Sequence, residues 1–491
     1  MMRGASNSSH PVQFYLFLAL LFWIPIPLGS NRPWAWAIME IVSFTLMFWC
    51  LTSCNWHQFT ARLKPYRLFL YLLTSFVLWQ LIQIIPLPET VLSIVSPKVL
   101  ELHESVSAPL ADDSIYHWLP ISLDPTQGLI MFIKSCSYLA FTCLVFWHIN
   151  CLKRLKQLIL VMLCAGVFQA VYGSLSLFEL NAKSAFLALD VTSNATGSFV
   201  YRNHFANFIL LCASLATGWI IGLLLKRSSD NRSQALRNFL TGFISGKFTL
   251  RLTLACFVIA LVLSHSRMGN TAFFIALTLT VAICLAVYWK KSLAHRNKIA
   301  VLFVSVLVID ALIVGSWFGI DKVKQRIEST NIVTETRDNV AIDTLELIAD
   351  FPVTGVGGGG FYGTYVRVTQ QGINGFYDHA HNDYLQFLTE YGVFATITIA
   401  ALVLISLIHA YNAMRWRNRS FIRGAAIGCL MAIIAMLLHI SVDFNLQIPS
   451  NSVYFIIILC IAWICRFGLH TKTSRRVEKQ PNQDVFLHGY S

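Results

Sequence analysis

Runs of about twenty consecutive apolar residues, repeated along most of the chain, constrain the fold more than any other feature. Such a run can bury itself only against its neighbours or in hydrocarbon, and about 20 helical residues cross a bilayer core. Segments at approximately 12–29, 34–53, 68–86, 128–149, 157–178, 205–225, 252–264, 270–289, 299–318, 393–412, 424–441 and 452–465 fit that description. They predict an all-α polytopic membrane protein of about twelve transmembrane helices, the seventh being short. Composition agrees, since 56% of the 491 residues are hydrophobic and only 12% charged, outside the soluble globular range.

A net charge of +13, from 37 basic and 24 acidic residues, would suit a nucleic-acid partner if it were spread over a surface. Instead the basic residues concentrate in short inter-helix loops: Arg62, Lys64 and Arg67; Lys153, Arg154 and Lys156; Lys226 to Arg251; Lys290 to Lys298; Arg415 to Arg423; and the tail from Arg466. The positive-inside rule places these loops and both termini in the cytoplasm, with the lipid bilayer and no nucleic acid as partner. The loops at 87–127, 179–204, 265–269, 319–392 and 442–451 then emerge on the outer face. The chain reads as one transmembrane domain, 1–466, with a large outer loop between spans nine and ten, and a polar cytoplasmic tail, 467–491. The cysteines lie in or at apolar runs or on the cytoplasmic side, which predicts no structural disulfide. The first run lacks a small-residue cleavage site and reads as a retained span.

Nearly all the chemically suggestive residues fall in the outer loops. His379-Ala380-His381-Asn382-Asp383-Tyr384 ends the longest one. Asn382 or Asp383 can cap a helix, and Tyr384, Phe387, Leu388 and Tyr391 recur at helical spacing, with Gln386 and Glu390 four apart on another face. Upstream, Asp343 to Asp350 reads as a helix stopped by Phe351-Pro352. The glycines from Gly355 to Gly360 lack the lysine and Ser/Thr of a phosphate-binding P-loop and predict a close-approach turn. Arg202 precedes the sixth span within Tyr201-Arg202-Asn203-His204, Arg267 sits in the turn between spans seven and eight, and Arg337 lies in the large loop. A single boundary arginine is ordinarily a snorkelling anchor; three on the outer face fit a bound anion, and the planar guanidinium fits phosphate best. The histidines suit acid/base work, helix capping, or metal ligation with His439 or Asp443. Asp310, within span nine, is costly at that depth unless it pairs or lines a path.

These residues resemble the O-antigen ligase and Wzy-type O-antigen polymerase superfamily of bacterial inner-membrane glycosyltransferases. The resemblance rests on His379-x-His381-Asn382-x-Tyr384-Leu385 with Glu390-x-Gly392, on Phe351-Pro352-x-x-Gly355-x-Gly357, on Arg202-Asn203-His204, on Ser266-Arg267, and on His439 to Phe444. It implies a GT-C-like fold, a periplasmic active site in the large loop, no cofactor or metal, an undecaprenyl-diphosphate-linked glycan donor, and a lipid A-core or growing glycan acceptor. Carried over, Arg202 and Arg267 bind the donor diphosphate, and His379 or His381 activates the acceptor hydroxyl. Asn203, His204, Arg337, Asn382, Glu390, His439 and Asp443 support them. The chemistry agrees, because a diphosphate leaving group without a metal needs fixed cations, and a histidine of reference pKa about 6.5 suits a base at neutral pH. In an extended loop the two histidines would point to opposite sides, so one is expected as base and the other as its orienter. Competing readings are a protein O-oligosaccharyltransferase of the same superfamily, a transporter of anionic solutes, which would place charges near the bilayer midplane, and a zinc-dependent intramembrane hydrolase.

The orientation is testable with single cysteines at Gly372 and Ser228 in a cysteine-free background. An impermeant maleimide added to cells with a permeabilised outer membrane is expected to label position 372 and spare 228. The reverse pattern overturns the topology.

Overall fold

The structure is a computed structural model that describes residues 11–107, 118–178, 193–225, 246–288, 297, 300, 301, 303, 304, 337–369 and 377–469. Its helices are α1 (Pro11–Trp23), α2 (Pro33–Ser53), α3 (Trp56–Leu63), α4 (Arg67–Ile84), α5 (Glu89–Val95), α6 (Pro97–Ser107), α7 (Pro125–His148), α8 (Leu152–Leu175), α9 (Arg202–Leu224), α10 (Gly246–Leu263), α11 (Arg267–Tyr288), α12 (Arg337–Asp350), α13 (Phe361–Tyr365), α14 (Asp383–Trp416), α15 (Ser420–His439) and α16 (Pro449–Phe467). Among the described residues nine helical stretches are long and apolar enough to span a membrane: α2, the continuous α3–α4, α7, α8, α9, α11, α14, α15 and α16. Two shorter apolar helices, α1 and most of α10, join them. Most of span nine, Asp310 included, the basic stretch 226–245, residues 319–336 of the large loop and the tail from 470 lie outside the described residues.

Helix starts follow local chemistry. Pro33, Pro125 and Pro449 occupy first-turn positions, where a missing N–H costs nothing. Asp124 caps α7 by accepting from Gln127 N, and Asn382 caps α14 by accepting from Tyr384 N and Leu385 N.

Two cores result. The larger fills the helix bundle. The smaller lies outside it and draws on chain segments far apart in sequence: Leu92, Val99 and Ile121 from the first outer loop pack with Val340, Leu347, Phe351, Phe361 and Ala380 from the second. A two-residue strand pair, Leu87–Pro88 with Trp118–Leu119, closes the first loop in the register Leu87↔Leu119. The sequence reading placed helices in the large loop but did not foresee that it shares a core with 87–127.

Helices α9 and α15 meet backbone to backbone. A Cβ built on Gly218 would strike Gly428 N and Gly424 O, and one on Gly222 would meet the Gly424 Cα at 3.0 Å. Small residues permit this approach, which in a membrane compensates for the missing hydrophobic drive between helices. Helix α14 is broken at Gly392, whose φ of 72° and ψ of 176° leave the helical region and whose Cβ would collide with Val353 O. Only glycine fits there.

Gly218→Leu must push α9 and α15 apart. It is expected to lower the thermal midpoint in detergent by roughly 5 °C or more, as overpacking a tight contact does. Gly363→Ala, where a Cβ meets nothing within 4 Å, serves as the control. An unshifted midpoint for Gly218→Leu would mean the helices are not in contact there.

Candidate functional site

The helix start predicted at Asn382 holds the histidine block in place. Asp383 N donates to Ile440 O (2.9 Å), and the Asp383 carboxylate accepts from Leu446 N (2.8 Å) and Gln447 Nε2 (3.3 Å). These bonds tie the histidine loop to the α15–α16 connection, which carries Asp443 and Phe444.

Phe444 is the ring around which the site is built. His379 stacks on it at 4.3 Å between centroids, while His381 and His204 meet it edge-on at 4.9 and 4.7 Å. Tyr201 lies parallel to it at 6.5 Å. The two loop histidines are thus brought to one phenyl ring, not directed to opposite sides as an extended loop would require. The physical reason is the left-handed backbone of His381, with φ 50°, which breaks the strand-like alternation.

Asp443, fully buried, lies behind them. Its Oδ1 is 3.7 Å from His381 Nδ1, longer than a formed hydrogen bond, as such pairs often are before a substrate is bound. Burial pushes the Asp443 carboxyl up, but the facing imidazoles of His381, His204 and His439 and the amide of Phe444 outweigh it and hold the group down to about 2. Burial pushes the His379 imidazole down to about 4, against the opposing pull of Asp378. Neutral imidazole is therefore the resting form of His379 at pH 7. His439 Nδ1 lies 3.1 Å from Asn207 Nδ2 on α9. Among the described residues, His204 Nε2, His379 Nδ1, His381 Nδ1, His439 Nε2 and Asp443 Oδ2 are buried without a hydrogen-bond partner. Such a concentration of unmatched polar atoms marks a working site more often than a structural one.

The three arginines each open a helix. Arg202, the first residue of α9, stands between Tyr201 and half-buried Asn203, and next comes His204, which reaches Phe444. Its Nη1 donates to Asn194 Oδ1 (3.3 Å), which also accepts from His265 Nδ1 (3.0 Å). Asn194 thereby links the Arg202 end to the turn that opens α11 at Arg267, whose side chain is exposed. Arg337 opens α12, and its side chain lies outside the described residues. Glu390 sits two turns below the histidines, buried, and accepts from Gln386 Nε2 at 2.7 Å. No three His, Cys, Asp or Glu side chains among the described residues converge as a metal-holding set.

Beneath the loop, between α4, α7, α14 and α16, lies an apolar cavity of about 120 Å³. Phe76, Phe387, Tyr391 and Phe455 wall it, and Lys134 and Gln447 are polar members of the lining. Lys134 Nζ rests 3.8 Å from the Trp36 ring centroid, with Glu40 on the same helix as Trp36. The sequence reading missed Phe444, Asp383, Gln386, Asn207, Glu40 and Lys134 as site residues. For Glu40 and Lys134 a signal existed, since both are ionisable groups inside apolar runs, the criterion that singled out Asp310.

Residues 252–400 match the family described as O-antigen ligase. The similarity covers 149 of the 491 residues and supports a place in the O-antigen ligase superfamily. No curated protein matches the chain. The matched stretch contains Arg267, Arg337, His379, His381, Asn382 and Glu390, whereas Arg202, Asn203, His204, His439 and Asp443 lie outside it. The latter group reaches the histidines through the packing of α9, α15 and α16. With its apolar helices, the chain is a polytopic membrane protein, and the match over 252–400 supports glycan transfer of the O-antigen ligase type at the level of the family.

Acid stability should report on the two perturbed groups. A depressed carboxyl stabilises the fold above its unfolded pKa and loses that contribution as pH falls, for Asp443 between about 4 and about 2. A depressed imidazole behaves likewise, for His379 between 6.5 and about 4. Each window is worth on the order of 2–3 kcal/mol. Thermal midpoints measured from pH 7 to 2.5 are expected to fall less steeply through the upper window in His379→Asn and through the lower one in Asp443→Asn. Unchanged slopes in both variants would contradict these environments.

Proposed function

We propose that the protein transfers a glycan from an undecaprenyl-diphosphate-linked donor to an acceptor hydroxyl at the periplasmic face of the inner membrane, with both termini cytoplasmic and His381 as general base. The observation that carries the assignment is the His381–Asp443 pairing within a cluster of buried polar atoms that lack protein partners. An acceptor hydroxyl must lose its proton as it attacks the anomeric carbon. A carboxylate aligned with Nδ1 fixes the imidazole tautomer, leaves Nε2 free to take that proton, and stabilises the imidazolium that forms.

His379, neutral and stacked on Phe444, is suited to orient the acceptor instead. Arg202 and Arg267 clamp the diphosphate and neutralise the charge that develops as it leaves, a task for which a permanently charged, forked donor is fitted. The apolar cavity against the loop supports a lipid-linked substrate. Lipid A-core as acceptor makes the protein a ligase, a growing glycan makes it a polymerase, and a protein hydroxyl would make it an oligosaccharyltransferase.

Purified variants assayed with lipid-linked donor and acceptor test the roles. His381→Ala is expected to lose about a hundredfold or more in turnover, and His379→Ala distinctly less. Arg202→Lys and Arg267→Lys should each lose at least about tenfold, roughly 1.4 kcal/mol of transition-state stabilisation. Wild-type turnover in His381→Ala sinks the base assignment, and wild-type turnover in both lysine variants reduces the arginines to membrane anchors.

A further inference from the structure

The backbone at His381 is held in the left-handed region, φ 50°, which side chains other than glycine adopt only when their surroundings enforce it. On its C-terminal side the enforcement is the Asn382 cap. On its N-terminal side a single side chain supplies it. Ala380 N, the amide between the two histidines, donates to Gln386 Oε1 at 2.8 Å, and Gln386 Nε2 donates onward to Glu390 Oε1 at 2.7 Å. All three residues are buried. Residue 390 is itself immobilised, because its carbonyl accepts from Gln83 Nε2 (2.8 Å) on α4 and from Gly357 N (3.0 Å) in the glycine turn.

We infer that Gln386 is a positioning residue that, anchored on Glu390, fixes the backbone between His379 and His381 and thereby aims the His381 imidazole at the acceptor hydroxyl. The inference rests on His381 being the base. Glutamine suits this joint: the side chain must accept from an amide on one side and donate to a carboxylate on the other, and a carboxamide has a separate atom for each. Glutamate at 386 would still accept from Ala380 N but would face a second carboxylate. A hydrocarbon would leave a buried amide and a buried carboxylate both unmatched.

The direction of the Gln386–Glu390 bond can be reversed without losing either contact. In the exchange Gln386→Glu with Glu390→Gln, the new carboxylate accepts from Ala380 N and from the new carboxamide. Steady-state kinetics with lipid-linked donor, on variants verified as folded by circular dichroism and elution volume, are expected to show three results. Gln386→Glu alone loses about thirtyfold in kcat with KM for donor within about twofold, the pattern of a lost transition-state alignment. Glu390→Gln alone loses less than about fivefold, since Gln386 still has an acceptor. The double exchange recovers to within about fivefold of the parent. A Gln386→Glu enzyme with parental kcat overturns the inference, as does a folded double variant as slow as Gln386→Glu; if the single variant does not fold, the double variant decides in the same way. His381→Ala run alongside separates the two readings: its retention of full turnover removes the base assignment itself, whereas its inactivity beside a fully active Gln386→Glu removes only the positioning role.

Discussion

The backbone contact between α9 and α15 fixes the level at which the site forms. Gly218 touches Gly428 at the crossing. Asn207 lies eleven residues before the first glycine and His439 eleven after the second, so two antiparallel arms of about 16 Å each, at 1.5 Å per residue, end side by side. Their ends meet at 3.1 Å. One further turn along α9 are His204 and Arg202, and just beyond α15 are Asp443 and Phe444. A bulkier pair of helices would still cross, but with their axes apart and these two ends no longer level.

The outer cap depends on a second set of close approaches. Gln83 at the end of α4 donates to both Thr354 O and Glu390 O, and Val356 N and Gly357 N donate to Thr389 O and Glu390 O. The main chain of α14 just before its break at Gly392 therefore serves the glycine turn as a strand edge would, a use of carbonyls that the interrupted helix leaves free. This is why the turn is rich in glycine: Gly355 brings its backbone against Glu390 O and Tyr391 N, where no side chain has room.

What was legible in the sequence was local. Apolar runs gave the helices, Asn382 gave its cap, Asp343 to Asp350 gave a helix ending before Pro352, and the glycine run gave a close-approach turn. The histidines, Arg202 and the His439–Phe444 segment were grouped by a resemblance to a family, not by their own spacing. What was not legible depends on partners far away in the chain. Nothing near Gln83 announces Glu390, 307 residues later, and nothing near Val99 announces Leu347. Phe444 looked like one more apolar residue beside an interesting aspartate. The premise of an extended backbone at the histidine pair does not hold: His381 is left-handed, and both rings touch Phe444, His379 on its face and His381 at its edge.

The small outer core has a consequence for how the molecule is made. Its two halves come from residues near 87–121 and 340–380, and the last site elements, Asp443 and Phe444, lie beyond both. Chains emerge from the ribosome N-terminus first, so during synthesis the 87–121 half of this core has no partner in it until Val340, 219 residues after Ile121, is made. Arg202 likewise waits for Phe444. Until α15 and α16 are made, no partial product holds a complete site, and a chain truncated before residue 340 leaves one half of the small core uncovered. Assembly is therefore committed late, by the C-terminal helices, and the chain passes through most of its biogenesis as an inactive intermediate.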